Sequence, residues 1–260
     1  MKDLRIGIRT LCLGQPLRRA LQTAARIEAQ GVQIDLRTEL PLADCSATAL
    51  REVRKLLDDH GLRVASAAYP TRRGFGEEAD LSRRVAAAMQ AMSVAAQLGA
   101  RVLVVRVGPP SGAGGVADAL RESLTTLGRH GDHVGVRLAT QTVGDPADLA
   151  GLIQCLPEGA LAVDLHPAEL LRHGHSAVDV LTELGQHVAH VTAADAVQDL
   201  ADRRVVDVTL GRGVVDFATL LAGLAARDYR GWVTVDRQNS PQPAAELADA
   251  VAYLRAVLRD

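Results

Sequence analysis

Aromatic side chains are scarce, at 2% of 260 residues, and lysine is nearly absent: Lys2 and Lys55 stand against 27 arginines. Few aromatics leave little to stack on bases or to wedge between them. A formal net charge of −2 supplies no broad positive field, so neither nucleic acid nor an anionic membrane is an expected partner. The three cysteines, Cys12, Cys45 and Cys155, are odd in number, far apart and in no metal-like spacing. They read as reduced, partly buried thiols. The opening MKDLRIGIRTLCLG has no apolar core with a cleavage site, and no run is long enough to span a bilayer, so a cytoplasmic protein is expected. No GxGxxG follows the first apolar run, which removes the dinucleotide fingerprint of doubly wound sheets. No linker or low-complexity stretch divides the chain, so residues 1–260 read as one domain.

What is present is a rhythm. Hydrophobic residues make up 48% of the chain, enough for a full core. Eight short apolar runs occur at 4–9, 31–37, 62–69, 101–108, 134–141, 160–166, 187–193 and 231–237. Between and after them lie segments with apolar residues at i, i+3 and i+4, such as ATALREVRKLLDDH and FATLLAGLAARDY. Gly31, Gly61, Gly99, Gly185 and Gly231 fall where helix hands over to strand and suit positive φ. GPPSGAGG (108–115) reads as a loop between strand and helix. Eight β-then-α units in this length predict an α/β fold, a single (β/α)8 TIM barrel.

Strand residues alternate between the helix layer and the barrel interior. The apolar sets, such as Val32, Ile34 and Leu36, must face the helices. The opposite sets then place Arg9, Asp35, Arg37, Arg137, Gln141, Asp164, His166, His190 and Asp236 inside. Burying these without partners is costly, so they pair with one another or line a wet cavity. Arg9, Arg37, Gln141, His166, Thr192 and Asp236 fall at strand C-terminal ends, where barrel enzymes keep their sites. Asp35 with Arg37 can form an interior ion pair. His190 lies one layer lower and reads as a core histidine, Asp195 as the organiser of the loop to VTLGRG, and Trp232 as packing at the bottom of the barrel. Arg72 and Arg73 in YPTRRGF can cover the pocket as a loop or stand in solvent, and Arg212 is a weaker candidate for a phosphate contact.

The ordered segments GVQIDLR, LGARVLVVRVG, HVAHVTAAD and LGRGVVDFATLLAGLAARDYRGWVTVD resemble the xylose isomerase-like TIM barrels, a superfamily of sugar isomerases, sugar-phosphate epimerases, dehydratases and endonucleases. The resemblance covers essentially the whole chain, and the last segment is its most specific part. It implies one divalent metal held by a Glu, an Asp, a His and a Glu at the ends of strands five to eight. Those positions carry Gln141, His166, Thr192 and Asp236 here. Asp164 is the alternative ligand position on strand six, but the spacing to LLRHG favours the frame with His166.

Only one of the four, Asp236, is a carboxylate. A neutral Gln and Thr bind a dication poorly, so no cofactor is expected beyond a weakly bound divalent metal held by His166 and Asp236 with Glu169. The resemblance then implies an isomerase, epimerase or lyase that has become metal-independent. Asp236 or Glu169 would be the base and His166 the acid. Arg9, Arg37, Arg72, Arg106 and Arg137, with Gln141 and also Arg237, would bind a small polyhydroxylated, anionic carbonyl compound, a sugar acid or sugar phosphate. The alternatives are a non-catalytic ligand-binding barrel and a metal-dependent isomerase with an unusual ligand set. An abasic-site nuclease fits poorly with the sparse aromatics and negative charge. The expected partner is the substrate alone, and the expected state a monomer or small homo-oligomer.

Overall fold

The computed structural model describes residues 4–109, 118–142, 144–199 and 204–259. Eight parallel strands close into a barrel: β1 (Arg5–Arg9), β2 (Gly31–Asp35), β3 (Arg63–Ala68), β4 (Val102–Val105), β5 (Arg137–Gln141), β6 (Ala162–Leu165), β7 (Val188–Ala193) and, closing against β1, β10 (Trp232–Val235). All eight apolar runs thus form barrel strands. The helices that cover them are α1 (Leu17–Arg26), α2 (Ala47–Asp59), α3 (Leu81–Gln97), α4 (Asp118–Val134), α5 (Pro146–Gln154), α6 (Pro167–Arg172), α7 (Ala177–Leu184), α8 (Phe217–Ala225) and α9 (Pro243–Arg259). An antiparallel hairpin, β8 (Asp195–Asp199) with β9 (Arg204–Val208), is inserted after β7; its short strands lack the runs the sequence reading sought. Among the described residues no helix is long and apolar enough to cross a membrane.

The main core lies between strands and helices, where Ile8, Ile34, Leu103, Val163, Val191 and Val233 meet helical residues such as Leu21, Met92, Leu124, Leu221 and Leu254, all buried. This is the apolar set of each strand facing outward, as alternation requires. The interior is divided. Val102, Val104, Ala139, Ala162 and Ala189 form a small apolar cluster. Beside it, polar groups satisfy one another. His190 Nδ1 lies 2.8 Å from Asp164, and its Nε2 lies 2.8 Å from Thr234 and 3.0 Å from Ser66. The Thr192 hydroxyl donates to Asp164, and Gln33 donates to Ser66. His190 is therefore a satisfied core histidine, fully buried.

Two glycine assignments hold and three need another reason. Gly61 and Gly99 have φ of 65° and 85° at helix ends, as read. Gly31, Gly185 and Gly231 do not have positive φ; each instead makes room for a side chain. A Cβ on Gly31 would lie 2.6 Å from the Trp232 ring, on Gly185 2.6 Å from Arg227, and on Gly231 2.3 Å from the Tyr229 hydroxyl. Most of GPPSGAGG, residues 110–115, lies outside the described residues.

Candidate active site

The strand ends converge at the C-terminal mouth. Arg9 ends β1 and reaches Asp236, just beyond β10, with Nη1 2.8 Å from Oδ2. Asp236 is held from both sides: Cys12 Sγ donates to Oδ1 at 3.0 Å, and Gln238 donates to Oδ2 at 3.2 Å. Burial opposes ionisation of Asp236, but the Arg9 guanidinium and the donated hydrogen bonds outweigh it and hold its pKa below the ordinary value. For the Cys12 thiol, burial and then the Asp236 charge push the pKa up, so it stays protonated and serves as a donor. Asp236 is therefore a permanent carboxylate at neutral pH.

Arg9 also faces a second carboxylate pair. Asp35, at the end of β2, lies 3.8 Å from Arg9 Nη2. Its Oδ1 accepts the backbone N–H groups of Arg37 and Thr38, leaving Oδ2 buried without a hydrogen-bond partner among the described residues. Glu39 follows four residues later. Its Oε2 meets the Asp35 N–H and the Thr10 hydroxyl, each at 2.9 Å. Thr10 also sits 2.8 Å from the Gln33 carbonyl. The Thr10 hydroxyl is thus shared between two acceptors, the Gln33 carbonyl and the Glu39 carboxylate. Burial chiefly, opposed by the Asp35 N–H and Thr10, raises the Glu39 pKa to about 7.

His166 follows β6 and N-caps α6. Its Nδ1 accepts the backbone N–H of Glu169 at 3.3 Å, and its own N–H donates to Thr142. An Nδ1 lone pair used in this way leaves the proton of the neutral ring on Nε2. Neutral His166 is thus fixed as a donor, and it is buried near Asp236. Arg106 donates to Gln141 at 3.2 Å at the ends of β4 and β5. Both border a cavity of about 300 Å³ between those strand ends and α5.

Some expected site residues lie elsewhere. Asp35 and Arg37 do not pair: β2 ends at Asp35, so alternation lapses, and Arg37 turns outward to the Pro70 carbonyl and the Tyr69 ring. Arg72 is exposed. The Glu169 carboxylate turns to Arg172 at 2.8 Å, one helical turn on, and only its backbone N–H serves His166. Arg237 pairs with Glu246 of α9 at 2.7 Å. Arg137 is not at the mouth, because it begins β5 and lies at the opposite end of the barrel. Asp195 does organise its loop, accepting the N–H groups of Gly211, Gly213 and Val215. The sequence reading missed Glu39, Thr10 and the role of Cys12. The available signal was position, since all three fall in the segments just past the ends of β1 and β2, Thr10 and Cys12 in a 3-10 turn.

Three of the positions that the resemblance assigns to metal ligands have other partners. Asp236 is engaged by Arg9, Cys12 and Gln238; the Thr192 hydroxyl is given to Asp164; and Gln141 faces Arg106. Among the described residues no group of three or more His, Cys, Asp or Glu side chains could hold an ion. The Arg9 guanidinium stands against the Asp236 carboxylate.

Residues 21–257 match the family described as xylose isomerase-like TIM barrel. No curated protein sequence matches the chain. Solved structures do. A xylose isomerase domain protein from Planctomyces limnophilus superposes with a TM-score of 0.83 at 20% identity, covering 98% of this chain and 97% of that one. A D-psicose 3-epimerase from Clostridium cellulolyticum H10, solved with D-tagatose, gives 0.80 at 13% identity, covering 98% and 99%. A 3-keto-D-glucoside 4-epimerase from E. coli gives 0.75 at 19% identity, covering 97% and 99%. At these identities the likeness establishes the fold.

Proposed function

Because the chain belongs to the xylose isomerase-like TIM barrel family, we propose that it is an isomerase, epimerase or lyase that moves a proton on a small polyhydroxylated, anionic carbonyl compound without a metal. The observation that carries this reading is the buried Arg9–Asp236 pair beside a donor-fixed His166.

In this mechanism the ionised Asp236 takes the proton from the carbon next to the carbonyl. The carbonyl oxygen gains negative charge as an enolate forms, and His166 Nε2–H donates to it. A carboxylate with a depressed pKa is a weak base, so the enolate must be stabilised for the step to proceed. Arg9 holds Asp236 ionised, and Arg106, which has no carboxylate partner among the described residues, supplies positive charge at the mouth for the enolate or for an anionic group of the substrate. Protonation of the same carbon on its other face by a second acid, the place open to Glu39, gives an epimer; return of the Asp236 proton to the neighbouring carbon, with loss of the enol proton, gives an isomer; and loss of a β-hydroxyl as water, with a proton from His166, gives a dehydrated product. Glu39, with its pKa near 7, is a second acid–base group close to Arg9.

The test is solvent deuterium incorporation, followed by proton NMR, into fructose 6-phosphate, ribulose 5-phosphate and 2-ketogluconate with chelator present. The reading expects exchange with wild type and at least a hundredfold loss in Asp236→Asn. Exchange undiminished in that variant would remove Asp236 from the chemistry. A non-catalytic barrel is the second reading, favoured by the engagement of both Asp236 oxygens. Saturable binding of these compounds with no exchange would support it.

A further inference from the structure

The opposite end of the barrel also holds a concave space. A cavity of about 1230 Å³ opens where the strands begin, bordered also by the C-terminal ends of α2, α3 and α4. Of the inward strand positions, Ala65, Val102 and Ala189 line it. Val102 and Ala189 belong to the small apolar cluster of the barrel interior, which closes the cavity from above.

The rim is strongly basic. Seven arginines and three aspartates line the cavity, an excess of four positive charges in a chain whose net charge is −2. Arg5, Arg63 and Arg137 open β1, β3 and β5, so alternate strands each send a guanidinium to the same opening. Arg5 stacks on the Trp232 ring at 4.5 Å, which fixes one side of the opening. Arg63, Arg101 and Arg137 are exposed and have no carboxylate within ion-pair distance among the described residues. The mouth differs, because there Arg9 is already neutralised by its own carboxylates. Unpaired guanidiniums around a concave space present forks to oxyanions from several directions.

We propose that this N-terminal cavity is a binding site for a small multiply charged oxyanion, a polyphosphate or polycarboxylate, held by Arg63, Arg101 and Arg137. The site is independent of the chemistry at the mouth. Several anionic groups on one molecule suit it better than a single ion, because the guanidiniums sit around a rim instead of at one point.

Titration calorimetry at low ionic strength tests it with inorganic tripolyphosphate and with citrate as probes. The proposal expects saturable binding of at least one, weakened severalfold by 0.2 M salt and more than tenfold in Arg63→Gln/Arg137→Gln. Tripolyphosphate alone binding would identify phosphate groups as the chemistry; citrate alone would identify carboxylates. Binding lost in Arg37→Gln/Arg106→Gln and kept in Arg63→Gln/Arg137→Gln would place the anion at the mouth and overturn the proposal. No binding of either probe at millimolar concentration would also overturn it, as would capture only by polyglutamate, which would mark an acidic-protein surface. The test is separate from the exchange assay, so either result can fail alone.

Discussion

The two ends of this barrel treat charge in opposite ways. At the C-terminal mouth, Arg9 is half-buried between Asp236 and Asp35, with Cys12 and Gln238 as the other partners of Asp236. At the N-terminal end, Arg63, Arg101 and Arg137 stand around an open cavity with no carboxylate partner among the described residues. Buried charge must be paired or it destabilises the fold, so the mouth's network is under folding constraint as well as functional constraint. Exposed charge is free of that demand, so the arginines at the other end can be changed without structural consequence.

The largest effect should come from breaking the buried pair. Asp236→Ala leaves Arg9 with only the longer 3.8 Å contact to Asp35 and should cost about 2–4 kcal/mol in urea unfolding at pH 7. Because the folded pKa of Asp236 lies below its ordinary value of 3.8, its contribution is present above that value and fades as pH falls. The penalty should therefore shrink at acid pH; a constant penalty would mean that packing, not charge, is lost.

Glu39 has the reverse sign. Its folded pKa of about 7 exceeds the ordinary 4.5, so the folded state binds the proton more tightly and stability falls as pH rises between the two. That rise corresponds to at most about 3 kcal/mol, less after solvent screening. Glu39→Gln should remove the decline, so the variant gains on wild type from pH 5 to pH 8. Parallel stability curves would place Glu39 outside the buried cluster.

Smaller effects belong to the other end. Gly31→Ala puts a Cβ against the Trp232 ring and the Arg63 carbonyl, at 2.6 and 2.8 Å. It should cost about 1–3 kcal/mol by overpacking, while leaving exchange at the mouth unchanged. Arg63→Gln/Arg137→Gln should alter stability by less than about 0.5 kcal/mol, measured by the same urea titration. A large loss there would show that these arginines are structural after all.

The contrast also explains what could be read from residues alone. The eight strands and their facing were legible because apolar and polar residues alternate strictly, as in Val32, Ile34 and Leu36 against Gln33 and Asp35. Asp236, His166 and Gln141 were legible because they sit at strand ends. Arg137 was misplaced because alternation gives the face of the sheet but not the end of the barrel. Arg37 was misassigned because β2 ends two residues earlier and the loop turns its side chain outward. Glu39 was invisible because nothing in RTEL says that the loop folds back under Thr10. The β8–β9 hairpin was missed because its strands are short and only partly buried.

The central claim is that a guanidinium takes the place of the family's metal at Asp236. Elemental mass spectrometry on protein purified without chelator, and again after Mn, Co, Zn and Mg supplementation, tests it most directly. The account predicts far less than one metal per chain under every condition. Near-stoichiometric metal that disappears in His166→Ala or Asp236→Ala would contradict it and return the site to metal-assisted chemistry.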